Sequence, residues 1–383
     1  YKIDENNKPV PAMAESYTLD ESGTVYTFTL RDGIKWSDGK ELTAEDFEYS
    51  WKRALNPETA SAAAYEFYYL KNGKAYNEGE AEAEDVGIKA IDKKTIEVTL
   101  EYPTAYFLDK LCTATFCPVR KDVVEGNESW TKSPDTYVCN GPFMFKEMKP
   151  KEKLVLVKNP NYIDADKVKL DTLEIVFIES PEAELAAYTN GEIDVSDNIS
   201  NEAMTKYMDT DEFYSEERIG FYYLDVNCEK APFDDPRVRK AFAMAINREQ
   251  IVKNIIQSTE KPAFGFVPYG IPDGVETDKN YRDVVGNVFE EDYDEARKLL
   301  AEAGYPNGEG MPEITFITMA SQSNVDVAQA LQSMWKENLG VEVSIQTFES
   351  KVYWDEIHEG NYHMGRDGWT GDYPDPMSTL EIF

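Results

Sequence analysis

One short run, Arg366-Asp367-Gly368-Trp369-Thr370-Gly371-Asp372-Tyr373-Pro374-Asp375-Pro376, gathers charges of both signs, a tryptophan and two glycines. Gly368 and Gly371 lack a Cβ, so another group can approach their backbone closely. Trp369 offers a broad apolar face with one N–H donor. Arg366 and Asp372 supply one charge of each sign. Such a run suits the polar and charged ends of a small ligand. It equally suits a rigid Pro/Gly turn that leaves an Asp in water, and composition does not choose between the two.

Other chemistries find less support. The only histidines are His358 and His363. Their spacing does not place both on one helical face, as a separation of four would. A zinc site would need further ligands that no motif indicates, and a Ser-His-Asp triad would have to use one of these two side chains. There is no Gly-x-Ser-x-Gly elbow, no Gly-x-Gly-x-x-Gly and no Walker-type loop. Neither a catalytic centre nor a cofactor is expected. The 73 Asp and Glu residues offer many carboxylate pairs, and none stands out as a hydrolytic couple. Cys112, Cys117, Cys139 and Cys228 form no Cys-x-x-Cys; Cys117 and Cys139 could be bridged, or all four could be thiols.

With 39 Lys and Arg against 73 acids, the net charge is −34. That balance opposes binding to phosphate backbones and to anionic lipid surfaces. No apolar run reaches the roughly 18–20 residues of a membrane span.

The elements that would position these residues fall into three blocks over 383 residues, a length that calls for two or three domains. In residues 1–152, Thr24–Leu30 and Thr95–Leu100 read as strands. Thr43-Ala44-Glu45-Asp46 resembles a capping box ahead of Phe47, Trp51 and Leu55 on one helical face. In residues 153–226, Leu154–Val157, Leu173–Ile178 and Ile193–Val195 read as strands around a helix between Ser180 and Asn190. The expectation is a β-α-β unit whose strands are covered on both faces. In residues 227–383, Asp235-Pro236 opens a helix and Asn247 caps the next. Strands at Glu313–Ala320, Val341–Phe348 and Tyr362–Trp369 then alternate with helices at Asn324–Asn338 and Lys351–Glu359. This is a wound α/β pattern, and ligands of such folds sit at the carboxyl ends of strands.

Trp369-Thr370-Gly371-Asp372-Tyr373-Pro374-Asp375 resembles the Trp-x-x-Asp-Tyr signature of oligopeptide- and dipeptide-binding proteins, the family 5 extracellular solute-binding receptors of ABC importers. Other stretches share the resemblance in the family's order. They are Leu30–Gly39 with Thr43–Phe47, Asn140–Phe143, Ala231–Arg239 with Ala245–Arg248, and Glu295–Gly304. Together they cover essentially the whole chain.

The resemblance implies a two-lobed periplasmic-binding-protein-like α/β fold with an additional α+β domain. Residues 1–152 would be the extra domain, 153–226 part of lobe one and 227–383 an incomplete lobe two. The chain, starting at Tyr1, is expected to be a fragment of a longer protein. The implied function is a monomeric, non-enzymatic receptor outside the cytoplasm, either periplasmic or held on the membrane as a lipoprotein by an anchor beyond this fragment. It would capture oligopeptides and pass them to ABC permease subunits.

On the same resemblance, Asp372 holds a peptide's α-ammonium. Gly368 and Thr370 belong to the strand that pairs with the peptide backbone, beside Trp369. Arg366 approaches a carboxylate, and Asn227 and Cys228 lie in the facing segment. Ser350, Asn324 and Ile357 stand where some relatives carry Trp, His and Arg, so ligand length is left open. A nickel chelate or an oligosaccharide in the same fold is the alternative, and a carboxylate-dependent hydrolase is a remote one.

Overall fold

The computed structural model describes residues 1–5, 8–276 and 278–382. It consists of two compact units, Tyr1–Ala183 and Glu184–Phe383.

In the first unit, β1 (Lys2–Ile3) and β2 (Pro9–Val10) form a short antiparallel ladder. Strands β3 (Ala14–Leu19), β4 (Val25–Leu30), β5 (Ile88–Ala90) and β6 (Thr95–Thr99) make an antiparallel sheet in the order β3-β4-β6-β5. Alternation along β4 turns Tyr26, Phe28 and Leu30 inward, as a period of two requires. The helix Ala44–Leu55 adds Phe47, Trp51 and Leu55 to the same core. Its start is set locally: the Asp46 carboxylate accepts the Thr43 N–H at 2.9 Å, closing the expected box with Asp in place of Glu.

A second sheet in this unit runs β7 (Phe143–Lys149), β8 (Lys153–Lys158), β9 (Thr172–Val176), antiparallel throughout. This corrects the expected β-α-β unit. The helix Pro181–Thr189 forms, but Ile193–Val195 makes no strand. The segment just after it is held differently: buried Glu184 accepts the Asp197 and Asn198 N–H groups at 2.9 and 3.2 Å, and the Ser196 hydroxyl at 2.8 Å. Nor is β9 covered on both faces; all five residues are exposed.

The unit boundary also differs from the expected divisions at 152/153 and 226/227. Hydrogen bonding explains the difference. A cut after 152 would split the β7–β8 hairpin, and a cut after 226 would separate β10 (Gly220–Val226) from its partner β13 (Met364–Thr370).

In the second unit, β11 (Ile314–Met319) and β12 (Val343–Phe348) complete a sheet ordered β10-β13-β11-β12. β11 is parallel to both neighbours, and β10 is antiparallel to β13. The helices Gln322–Leu339 and Ser350–His358 connect β11 to β12 and β12 to β13. The expected alternation is therefore present. Asp235 and Asn247 cap their helices, accepting the N–H groups of Arg237 and Gln250, each at 2.8 Å. Phe233, Phe242, Phe316 and Trp335 centre the core, and the Trp335 indole N–H donates to the Phe242 carbonyl at 3.1 Å.

Candidate functional site at the end of β13

β13 is paired unequally on its two edges. β10 accompanies all of it, from Val226 opposite Met364 to Gly220 opposite Thr370. β11 accompanies only Met364 and Gly365. From Arg366 to Thr370 one edge of β13 has no strand partner among the described residues. An open edge presents backbone donors and acceptors to an incoming chain.

The run beyond β13 is held by short-range bonds. The Gly371 N–H donates to the Ile219 carbonyl at 2.6 Å. The buried Ser378 hydroxyl accepts the Asp372 N–H at 2.8 Å, and the Ser378 carbonyl accepts the Trp369 indole N–H at 2.6 Å. Asp372 itself is exposed just past the end of β13. Ser378 was not singled out from sequence. Its only signal is a hydroxyl residue following Asp375-Pro376, where side chains commonly bond nearby backbone.

Arg366 is half-buried. Its guanidinium carbon lies 4.2 Å from the Tyr222 ring centroid, and Nη1 donates to the Asn324 side-chain oxygen. Burial lowers its pKa from the ordinary arginine value, and no carboxylate forms an ion pair with it among the described residues. A planar cation that is stacked and braced, with no carboxylate in ion-pair range among the described residues, can receive a carboxylate or a carbonyl.

Gly368 does allow a close approach, but the approaching group is a ring rather than a backbone. A Cβ there would lie 2.6 Å from Tyr222 Cδ1. Thr370 is exposed beside it, and Trp369 is half-buried.

Asn227 and Cys228 are not part of this cluster. The register puts the residue after Val226 at the Met364 end of the pair. At ~3.3 Å per residue that end is about 20 Å from Thr370. Asn227 instead ties the end of β10 to the segment entering β13, donating its N–H to the His363 carbonyl at 3.0 Å and its amide to the Gly360 carbonyl at 3.1 Å. Cys228 is exposed there, with its thiol on the Val226 carbonyl. The segment facing Gly368–Thr370 is Gly220–Tyr222. The four cysteines are all free thiols, so the Cys117–Cys139 bridge is not formed.

Residues 8–383 match the family model described as bacterial extracellular solute-binding proteins, family 5 Middle. The oligopeptide-binding protein OppA of Bacillus subtilis is 36% identical over 392 residues, covering all of this chain and 71% of that protein. The crystal structure of a periplasmic oligopeptide-binding protein from Borrelia burgdorferi superposes with a TM-score of 0.86 at 35% identity, covering 97% of this chain and 73% of the other. Listeria monocytogenes OppA bound to peptide gives a TM-score of 0.85 at 29% identity, covering 100% and 77%.

Proposed function

The chain belongs to the bacterial extracellular solute-binding proteins of family 5, and from that premise we propose that the open edge of β13 is where it takes a peptide. The protein is an extracytoplasmic receptor for oligopeptides in an ABC import system, and it binds rather than transforms its ligand. The observation that carries the site is the unequal pairing of β13, whose edge from Arg366 to Thr370 ends two residues before the carboxylate of Asp372.

A peptide lying along that edge is recognised by its N–H and C=O groups, which every sequence has. Its α-ammonium meets Asp372. At ~4 Å and an effective dielectric of ~20 the attraction is about 4 kcal/mol, from which desolvation must be subtracted. Arg366, braced by Asn324 and Tyr222, takes a carboxylate or carbonyl further along. Gly368, Trp369 and Thr370 form the wall between them. The loaded receptor then delivers the peptide to the permease subunits of its importer.

The test compares one oligopeptide with a free and an acetylated amino terminus, by calorimetric titration of the full chain. Acetylation is expected to weaken binding at least tenfold. Equal affinity for the two would remove the ammonium contact at Asp372.

A further inference from the structure

On the face of β10 and β13 opposite Arg366, two carboxylates lie close together. Side chains alternate along each strand, so Asp225 and Asp367 share that face. Asp225 pairs with Gly365 and Tyr223 with Asp367, which makes the two acids diagonal neighbours.

Their surroundings differ. Asp367 accepts the Tyr223 hydroxyl at 3.1 Å and the Gly368 N–H at 2.6 Å. Asp225 is half-buried, and its carboxylate accepts no hydrogen bond among the described residues. The titratable groups around it come from every element packed there. Tyr223 is on β10 and Asp367 on β13. Tyr353, on the helix Ser350–His358, has its hydroxyl on the Arg366 carbonyl at 2.7 Å. Tyr362 leads into β13, and Cys228 follows β10. Phe221 and Phe266 flank Tyr223, with ring centroids 5.3 and 5.9 Å away. None of these groups is a cation. A carboxylate with no donor, no counter-charge and a like charge nearby is favoured in its protonated form. Burial, then the charge of Asp367, raises the Asp225 pKa to about 6.

We propose that Asp225 is a proton-operated latch between β10 and β13: protonated, it lets the strands pack without a second charge, and its ionisation loosens the pair that frames the open edge. The direction follows from linkage. The folded chain holds this proton more tightly than the unfolded one. The contribution is therefore full below the unfolded carboxyl pKa of about 3.9 and is lost as pH rises through about 6. This device does not depend on what fills the edge.

The test is urea unfolding of the 383-residue chain, wild type and Asp225→Asn, followed by tryptophan fluorescence at about pH 5 and about pH 7.5. The midpoint of Asp225→Asn relative to wild type is expected to be higher at the upper pH than at the lower. The same offset at both pH values, or a larger deficit at the upper one, would overturn the latch. A carboxyl-carbon NMR titration of Asp225 reads the proton directly: a midpoint near 6 supports the proposal, and one near the ordinary Asp value overturns it. If Asp225→Asn does not fold, Asp367→Asn serves instead. It should move the Asp225 midpoint down by removing the like charge, and an unmoved midpoint counts against the pair.

Discussion

The hydroxyl of Ser378 accepts the backbone N–H of Asp372 at 2.8 Å, and Ser378 is almost wholly buried. One side chain thus fixes the direction in which the proposed ammonium-binding carboxylate leaves the chain. Replacing Ser378 with Ala strands that N–H, a loss of about 1–3 kcal/mol. Chemical denaturation should show the lost stability. Calorimetry should show weaker binding of a free-amine peptide, while an acetylated one changes less.

Asp372→Asn keeps the shape and removes the charge. Charge-assisted hydrogen bonds contribute about 1.5–3 kcal/mol, so affinity for a free-amine peptide should fall roughly ten- to hundredfold. Unchanged affinity would place the ammonium elsewhere.

At Gly368, an added methyl group meets Tyr222 Cδ1 at 2.6 Å. Gly368→Ala is expected to cost about 1 kcal/mol, because the ring is largely exposed and can swing aside. The same substitution in a Tyr222→Ala background should cost much less. A double-mutant cycle in urea reads the coupling.

In the first unit, Lys110 and Glu66 form a buried ion pair at 2.6 Å, with Lys110 also 4.5 Å from the Tyr69 ring centroid. Lys110→Met leaves the Glu66 charge buried without its lysine and should destabilise by about 3–5 kcal/mol. Lys110→Met with Glu66→Leu should recover most of that. Thermal unfolding of the two variants and the wild type tests the contrast.

Asp164 titrates in the opposite sense to Asp225. Hydrogen bonds from Arg31, at 3.2 Å, and then from Lys167, at 3.0 Å, lower its pKa to about 2. A lowered folded pKa stabilises above the unfolded value of about 3.9 and is lost as pH falls towards 2. Asp164→Asn should therefore flatten the acid limb of the unfolding-midpoint profile between about pH 4 and pH 2. The limb will not vanish, since the pKa of Asp20 is also lowered to about 2, chiefly by Ser22. An unchanged limb would remove Asp164 from the acid response.

Helix starts were legible because a cap is a contact across two or three residues. Asp235 with Arg237, Asn247 with Gln250, and Asp46 with Thr43 could each be placed from the order of residue types alone. Strands β11, β12 and β13 were legible too, as apolar runs between helical periods, whereas β10 was not. The motif beyond β13 was equally visible as a run, and its family resemblance led to the receptor function.

The pairing of distant segments was not legible. The register of β10 against β13 joins residues about 140 apart in sequence. It put Gly220–Tyr222 beside the site and left Asn227 and Cys228 at the far end. Ser378 beneath Asp372, Asn324 and Tyr222 around Arg366, and Asp225 against Asp367 are likewise products of packing. So are the bonds of Glu184 to the backbone of Asp197 and Asn198. The sequence by itself determined where elements begin, which faces are apolar and which family the chain resembles, because those depend on neighbours along the chain. Tertiary structure decided which edge of β13 stays open and which charges share a face, because these depend on strand order and register that no local pattern encodes.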